Sequence, residues 1–447
     1  MAHRPPAPSL SAYGEACLTT SPVNRMMADF AVDFRDDVDI NLGVGYVNEA
    51  TLPRDGVRQG LDAVLQDPDH YRAALNYGGP TGSRNLLDSL RRWYLRHGPA
   101  GVDEGLLDTR HLLIGPNGAT SLLESFSLLL ELGIVFVADP LYYIYCDVLQ
   151  RAGFELIAIP EDDEGLSAEG LRRAIDELGE RARKIRFVYV VTVHNPTGTV
   201  MTNRRRTQIV DIVSDLSRRL DRQIPLLSDR AYEDLIHDDS LERPRSMMAD
   251  DEIGIVYEIG TVSKTMAPAL RIGFVFAPPG PLIGALAQRT SDAGFSAPLI
   301  NQEISSWLLD HLIDEQVQSV NDGYRHKARC VGQWLHDRLG PHLQAVTGGQ
   351  AGFYYYLTFA ETTTTIGSAF SRYLSRTTGQ VEIDGPLHQR HPRVVYIPGE
   401  FCVHPHGQLA EVGQRQLRLS YGFEELGQLD AAIGFMAEAC AWSSSLY

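Results

Sequence analysis

Short apolar runs alternate along this chain with stretches whose apolar residues recur every three to four positions. The runs at 111–114, 134–138, 155–159, 187–193, 225–228, 253–259 and 272–277 read as strands. Between them, 119–132, 143–152, 168–181 and 203–220 carry the helical period. Parallel strands need helical crossovers, so this alternation predicts a largely parallel sheet covered on both faces. Upstream, 21–37 reads as a helix capped by Ser21 with Pro22 in its first position, and 55–66 and 81–96 read as amphipathic helices. Residues 1–20 show little periodicity and are expected to form an arm. After about residue 300 the texture changes. A long helical stretch (299–339), an aromatic apolar run (353–357), short strands near 393–397 and 416–421 and a helix at 423–441 predict a smaller α+β domain. The expected division is a three-layer α/β/α large domain over 65–310 and a small domain built from 1–64 and 311–447.

Composition changes this picture mainly by exclusion. A chain of 447 residues can bury one large core and a smaller one. Its net charge of −17 argues against a nucleic-acid surface or an anionic membrane. No apolar run approaches the ~20 residues of a membrane helix, and Met1 to Ala16 lacks the apolar centre of a signal peptide. Cys17, Cys146, Cys330, Cys402 and Cys440 are scattered, which suits reduced thiols and offers no metal-ligand spacing. A cytoplasmic enzyme without a metal is the expectation.

The candidate chemistry gathers around Thr261-Val262-Ser263-Lys264 and Arg271, between two apolar strands. A lysine buried there tends to lose its proton, and a neutral amine condenses with an aldehyde to a Schiff base. Hydroxyls from Thr261 and Ser263 with the Arg271 fork suit a phosphate dianion. A surface lysine on a Ser/Thr-rich turn is the competing reading. Gly115-Pro116-Asn117-Gly118-Ala119-Thr120 is a strand, a glycine turn and a helix start, hence an anion site or a simple turn. Tyr142, after the strand at 134–138, can stack on a planar ligand or belong to the core. His194-Asn195-Pro196-Thr197-Gly198 projects an amide from the end of the most apolar strand. Asp229 ends another buried strand and must find a cation or take up a proton; Arg230 beside it is the structural candidate, and Tyr232 follows. Together these residues describe one ligand. It has a phosphate (Gly118 to Thr120, Thr261, Ser263, Arg271), a flat ring (Tyr142) and a ring nitrogen to protonate (Asp229). It also has a phenolate oxygen (Asn195, Tyr232) and an aldehyde (Lys264). That ligand is pyridoxal 5′-phosphate.

On these motifs the chain resembles the fold-type I pyridoxal-phosphate enzymes of aminotransferase class I/II, from about residue 40 to residue 425. NLGVG at 41–45, the Tyr77…Gly82 segment, NPTG, DxxY and SxSK…R occur in the family's order, with about 35 residues from Asn195 to Asp229 and from Asp229 to Lys264. Seven positions from Lys264 to Arg271, with Pro268 between, are closer to the 2-aminoadipate aminotransferase branch, although Ala269 stands where that branch usually has glycine. The resemblance implies an internal aldimine at Lys264, with Asp229 and Tyr232 also in the catalytic set. It implies Arg418 on the substrate α-carboxylate and Gly45 and Asn195 against the substrate. Gly45 reads equally as part of a tight turn. Tyr77 is implied to reach the phosphate of a neighbouring subunit, hence a homodimer with shared sites.

Transamination between an L-amino acid and a 2-oxo acid is the expected reaction. Another pyridoxal-phosphate reaction (lyase, cyclase or oxidase) is the alternative on the same scaffold. A ligand-sensing regulator is a further alternative, since some DNA-binding proteins carry a related domain behind a basic region. It is disfavoured here by the acidic residues Asp29, Asp33, Asp36 and Asp37 ahead of NLGVG. Side-chain selectivity is expected from the helix around Asn24 to Met27 and from Tyr46 and Tyr142. Arg25 is the one cation there that could read a distal carboxylate; an exposed helix arginine is the competing reading.

Overall fold

A computed structural model describes residues 8–386 and 388–446. Fourteen strands are present among them: β1 Ile40–Asn41, β2 His111–Ile114, β3 Ile134–Asp139, β4 Glu155–Asp162, β5 Gly165–Leu166, β6 Ile185–Val191, β7 Leu226–Asp229, β8 Val256–Thr261, β9 Gly273–Ala277, β10 Leu343–Gly348, β11 Tyr354–Phe359, β12 Val394–Val395, β13 Ile397–Pro398 and β14 Gln416–Ser420. Eight form the large sheet in the order β2-β9-β8-β7-β6-β3-β4-β5. β8, β7, β6, β3 and β4 run parallel; β9 lies antiparallel between β8 and β2, and the short β5 is antiparallel to β4. Every residue of β3, β7, β8 and β9 is buried. That burial explains why these strands read as continuous apolar runs rather than alternating ones. One core cluster, with Phe136, Val188, Leu226 and Phe276, covers one face, and another, with Val135, Phe187, Leu227 and Val275, covers the other. The three-layer α/β/α domain is therefore present.

The smaller body is an antiparallel sheet, β10-β11-β14-β13, packed with helices Ile313–Trp334 and Leu426–Ser444 around Phe353, Leu357, Leu417 and Met436. β1 pairs with β12, tying the NLGVG segment to the far end of the chain.

Several expectations are corrected. The stretch 299–339 is two helices, Leu299–His311 and Ile313–Trp334, with a π turn at Leu335–Leu339. The break falls at Leu312, whose non-helical φ of −132° with ψ of −10° interrupts the helix without a proline or glycine to announce it. The capped helix after Ser21 stops at Ala31, and Ala12–Cys17 forms a short helix where an irregular arm was expected. β10 was missed because half of its side chains are exposed, so its apolar pattern is weak. Helix Arg54–Gln66 packs on the large core, where Gly60 faces Trp307 and Ile304. No helix of the described residues is long and apolar enough to cross a membrane, and they contain no cluster of three or more potential metal ligands.

Candidate active site

The parallel strands present their C-terminal ends along one edge, where side chains that leave the sheet meet in a shared crevice. Asp229 ends β7, Thr261 ends β8, Asn195 follows β6 by four residues and Tyr142 follows β3 by three. Together with Ala119, Thr120, Tyr232, Ser263, Lys264 and Arg271 they line one cavity with about 620 Å³ of empty space.

Its anion end is built at the start of helix Gly118–Leu129. Gly118 has φ +72°, and a Cβ there would sit 2.7 Å from Arg271 Nη2. Only glycine lets the guanidinium lie against the helix terminus. Arg271 Nε donates to Asn117 Oδ1 at 2.8 Å and Nη1 to the Pro268 carbonyl at 3.1 Å, which fixes the fork. The Thr261 and Ser263 hydroxyls lie 2.9 Å apart at the same end. Free helix N–H groups, two hydroxyls and a guanidinium form a cradle of the kind that phosphate oxygens need.

Asp229 tests the fit to the ring. It is 4% exposed, and its oxygens accept from Tyr189 Oη at 2.8 Å and the Ala231 N–H at 2.9 Å. Arg230, the structural partner considered for it, turns away to pair with Glu233 at 2.6 Å and Glu258 at 3.2 Å. Burial raises the Asp229 pKa, while those hydrogen bonds and the charges of Lys264 and His194 oppose the rise. A buried carboxylate that faces the cavity and is paired with no arginine is complementary to a protonated ring nitrogen.

Lys264 Nζ donates to the Gly45 carbonyl at 3.1 Å and lies 5.3 Å from the centre of the Tyr232 ring. Burial first, then the positive charges of Arg418 and Arg271, lower its pKa to about 8, with Asp229 opposing. The amine is thus a nucleophile near neutral pH. The residues present fit pyridoxal phosphate from phosphate to aldehyde.

Above this floor stands Arg418 on β14, 1% exposed. Its Nη1 donates to Asn195 Oδ1 at 2.9 Å, its Nη2 donates to the Gly43 carbonyl, and its Nε has no partner. A Cβ on Gly45 would lie 2.7 Å from Tyr354 Oη, so glycine there permits the close approach. Behind Asn195, His194 Nδ1 and Glu161 form a buried pair at 2.5 Å, and Thr197 Oγ1 donates to the same carboxylate at 2.6 Å.

Three expected residues, Tyr77, Arg25 and Tyr46, lie apart from this cavity. Tyr77 is 80% exposed, with its ring 5.5 Å from that of Phe295. Arg25 lines a different cavity, and Met27 is the member of its helix nearest the Gly43 backbone, with Sδ 3.2 Å from a Cβ built there. Tyr46 is 62% exposed beside Phe423. Tyr354 is the site residue that sequence reasoning missed. Its hydroxyl lies 2.9 Å from Tyr232 Oη and its ring lies under the Arg418 guanidinium, 4.5 Å away. It was legible only as part of an apolar aromatic strand, because nothing in that run marks which face meets the cavity.

A model of the family described as aminotransferase class I and II matches residues 40–391. The uncharacterized HTH-type transcriptional regulator YisV of Bacillus subtilis is 26% identical over 407 residues, covering 89% of this chain and 73% of that protein. The 2-aminoadipate transaminase of Thermus thermophilus is 26% identical over 226 residues, covering 50% of this chain and 53% of its own length. The matched stretch thus spans about half of that relative. Among solved structures, a multiple substrate aminotransferase from Thermococcus profundus superposes with a TM-score of 0.81 at 21% identity, covering 98% of each chain.

Proposed function

The chain belongs to the aminotransferase class I and II family; from that premise we propose that it is a pyridoxal-phosphate-dependent aminotransferase that moves the amino group of an L-amino acid with an apolar or aromatic side chain to a 2-oxo acid. One observation carries the reading. Asp229 faces the Lys264 cavity with its neighbouring arginine engaged elsewhere, so the site keeps a buried carboxylate for a ring nitrogen. When bound, pyridoxal phosphate supplies an aldehyde for the amino group and a ring that accepts electrons from the α-carbon.

The chain's own residues do the rest. Gly118 to Thr120, Thr261, Ser263 and Arg271 would hold the phosphate, Tyr142 would lie against the ring, and Asn195 and Tyr232 would donate to the phenolate oxygen. Arg418 would fork onto the α-carboxylate and so aim the α-hydrogen at Lys264 Nζ, whose amine would take that proton from the α-carbon. Beside Arg418 the walls are Tyr143, Tyr354 and Met27. These aromatic and apolar walls support side chains without a distal carboxylate. The exposed Tyr77 supports a homodimer in which it serves the partner's phosphate, and the scattered cysteines support a cytoplasmic setting.

A half-reaction screen tests the proposal. Holoenzyme mixed with single amino acids should lose its aldimine absorbance with aromatic or aliphatic amino acids and lose it slowly with glutamate or aminoadipate. Conversion by no amino acid would overturn it. The YisV relative favours a second reading, a ligand-sensing regulator. That reading requires amino acids to bind without converting the cofactor.

A further inference from the structure

Helix Pro22–Ala31 has two faces with different neighbours. Val23 and Met27 pack toward Tyr143, Tyr356 and Ile397, on the side of Arg418. Pro22, Arg25, Met26, Asp29 and Phe30 recur at three- and four-residue intervals along the adjoining stripe, Met26 touching both sides, and line a separate, open-mouthed cavity with about 1290 Å³ of empty space that runs out into solvent. The cavity's other walls include Tyr396, Phe401 and Arg372.

Charge in this cavity is unevenly committed. Arg393 is tied to Asp33 at 2.6 Å and Asp39 at 2.8 Å, and Arg390 to Asp33 at 3.1 Å. Arg25 has only one long contact, 3.4 Å to the Thr20 carbonyl, and Arg372 has no side-chain hydrogen bond or ion pair among the described residues. Asp29, one turn from Arg25, likewise has no side-chain hydrogen bond or ion pair among the described residues. Two free guanidiniums and one carboxylate thus border aromatic walls.

We propose that this cavity is a second binding site, distinct from the cofactor site, for a small amphipathic carboxylate: an amino acid or the 2-oxo acid related to it. Its apolar body lies against Phe30, Tyr396 and Phe401, and Arg25 and Arg372 receive the carboxylate through guanidinium forks. Asp29 is placed for the ammonium of an amino acid and disfavours a dianion such as phosphate. The helix Pro22–Ala31 is the wall between this site and the Arg418 end of the other.

Equilibrium dialysis on holoenzyme in its pyridoxamine form, which does not convert amino acids, reads the sites directly. The probes are 3-phenylpropionate and L-phenylalanine. Wild-type protein should bind two equivalents of 3-phenylpropionate per chain, one lost in Arg418→Ala and the other weakened roughly ten- to a hundred-fold in Arg25→Ala and in Arg372→Ala. Arg372→Lys should recover part of the loss. Both arginines lie at the surface with at most one bond, so their replacement leaves the fold intact. Asp29→Asn weakening only L-phenylalanine assigns the site to amino acids; equal binding of both probes assigns it to the oxo acids. A single equivalent, or a second one indifferent to both Arg25→Ala and Arg372→Ala, overturns the proposal. Counting equivalents needs no turnover, so failure here and failure of the half-reaction screen are separate results.

Discussion

Asn195 Oδ1 accepts a hydrogen bond from Arg418 Nη1 at 2.9 Å, across the boundary between the large sheet and the small one. A guanidinium only donates, so the bond fixes the amide orientation and leaves the Asn195 NH2 to donate into the cofactor cavity. One bond therefore couples the phenolate-side donor to the arginine proposed for the α-carboxylate. Asn195→Ala should lower kcat/KM by roughly ten- to a hundred-fold for all amino acid substrates alike, the worth of about 1.5–3 kcal/mol for a charged hydrogen bond. It should also shift the absorbance of the bound cofactor. A loss confined to one class of side chain would show that Arg418 is not a common anchor.

Asp229→Asn keeps the shape and removes the charge. Without that charge the ring nitrogen is not held protonated, so loss of the α-proton should slow by several orders of magnitude while the affinity for a non-reacting substrate analogue changes little. Single-turnover absorbance with an α-deuterated amino acid checks this, since the isotope effect should grow as proton removal becomes limiting. A variant that turns over at near wild-type rate would remove Asp229 from the mechanism.

Lys264 gives a pH signature. Its amine is neutral above about 8 rather than above the ordinary 10.5, because burial and the charges of Arg418 and Arg271 disfavour the cation. The folded chain therefore releases this proton at lower pH than the unfolded chain. The group's penalty on stability is fully present below about 8 and fades as pH rises through the interval up to 10.5. Capture of pyridoxal phosphate by cofactor-free protein, followed by absorbance, should accelerate with pH, pass its half-maximum near 8 and level off above it. A rate still climbing at pH 10 would place the amine in an ordinary aqueous environment. Lys264→Ala should retain only non-covalent, dialysable cofactor.

Tyr77 supplies a test of assembly. Its side chain is exposed in the single chain, as a residue that completes a partner's site would be. Mixing an inactive Lys264→Ala chain with an inactive Tyr77→Ala chain should restore activity, because each mixed dimer has one complete site. If subunits exchange and no activity returns, the shared-site arrangement fails.

The strands that carry the site were legible because they are buried on both faces and interrupted by glycine or asparagine turns: β3, β6, β7 and β9 lie within two residues of their expected positions. Asn195, Asp229, Lys264 and Arg271 were legible because each sits at a strand end, where a polar residue stands out against an apolar run. What sequence could not supply was direction. Arg25 and Met27 are two positions apart on one helix, yet helical geometry sends Arg25 to a separate cavity and leaves Met27 beside Gly43. The same limit hid the partner of Asp229, since Arg230 is adjacent in sequence and bonded elsewhere.

Tyr354 joins two parts of the site and its two functions can be separated. The hydroxyl meets Tyr232 Oη at 2.9 Å, while the ring supports Arg418 at 4.5 Å. Tyr354→Phe keeps the ring and deletes only the hydroxyl, leaving the buried Tyr232 phenol without that partner at a cost of about 0.5–1.5 kcal/mol. Through Tyr232, a proposed donor to the phenolate oxygen, this variant should change the pH midpoint of cofactor absorbance and lower kcat several-fold with KM nearly unchanged. Tyr354→Leu removes the aromatic platform as well, and the cation–π contribution lost with it, about 0.5–2 kcal/mol, should appear as a raised KM for every amino acid. A Phe variant with an unaltered absorbance profile and a Leu variant with unaltered KM would make Tyr354 a packing residue only.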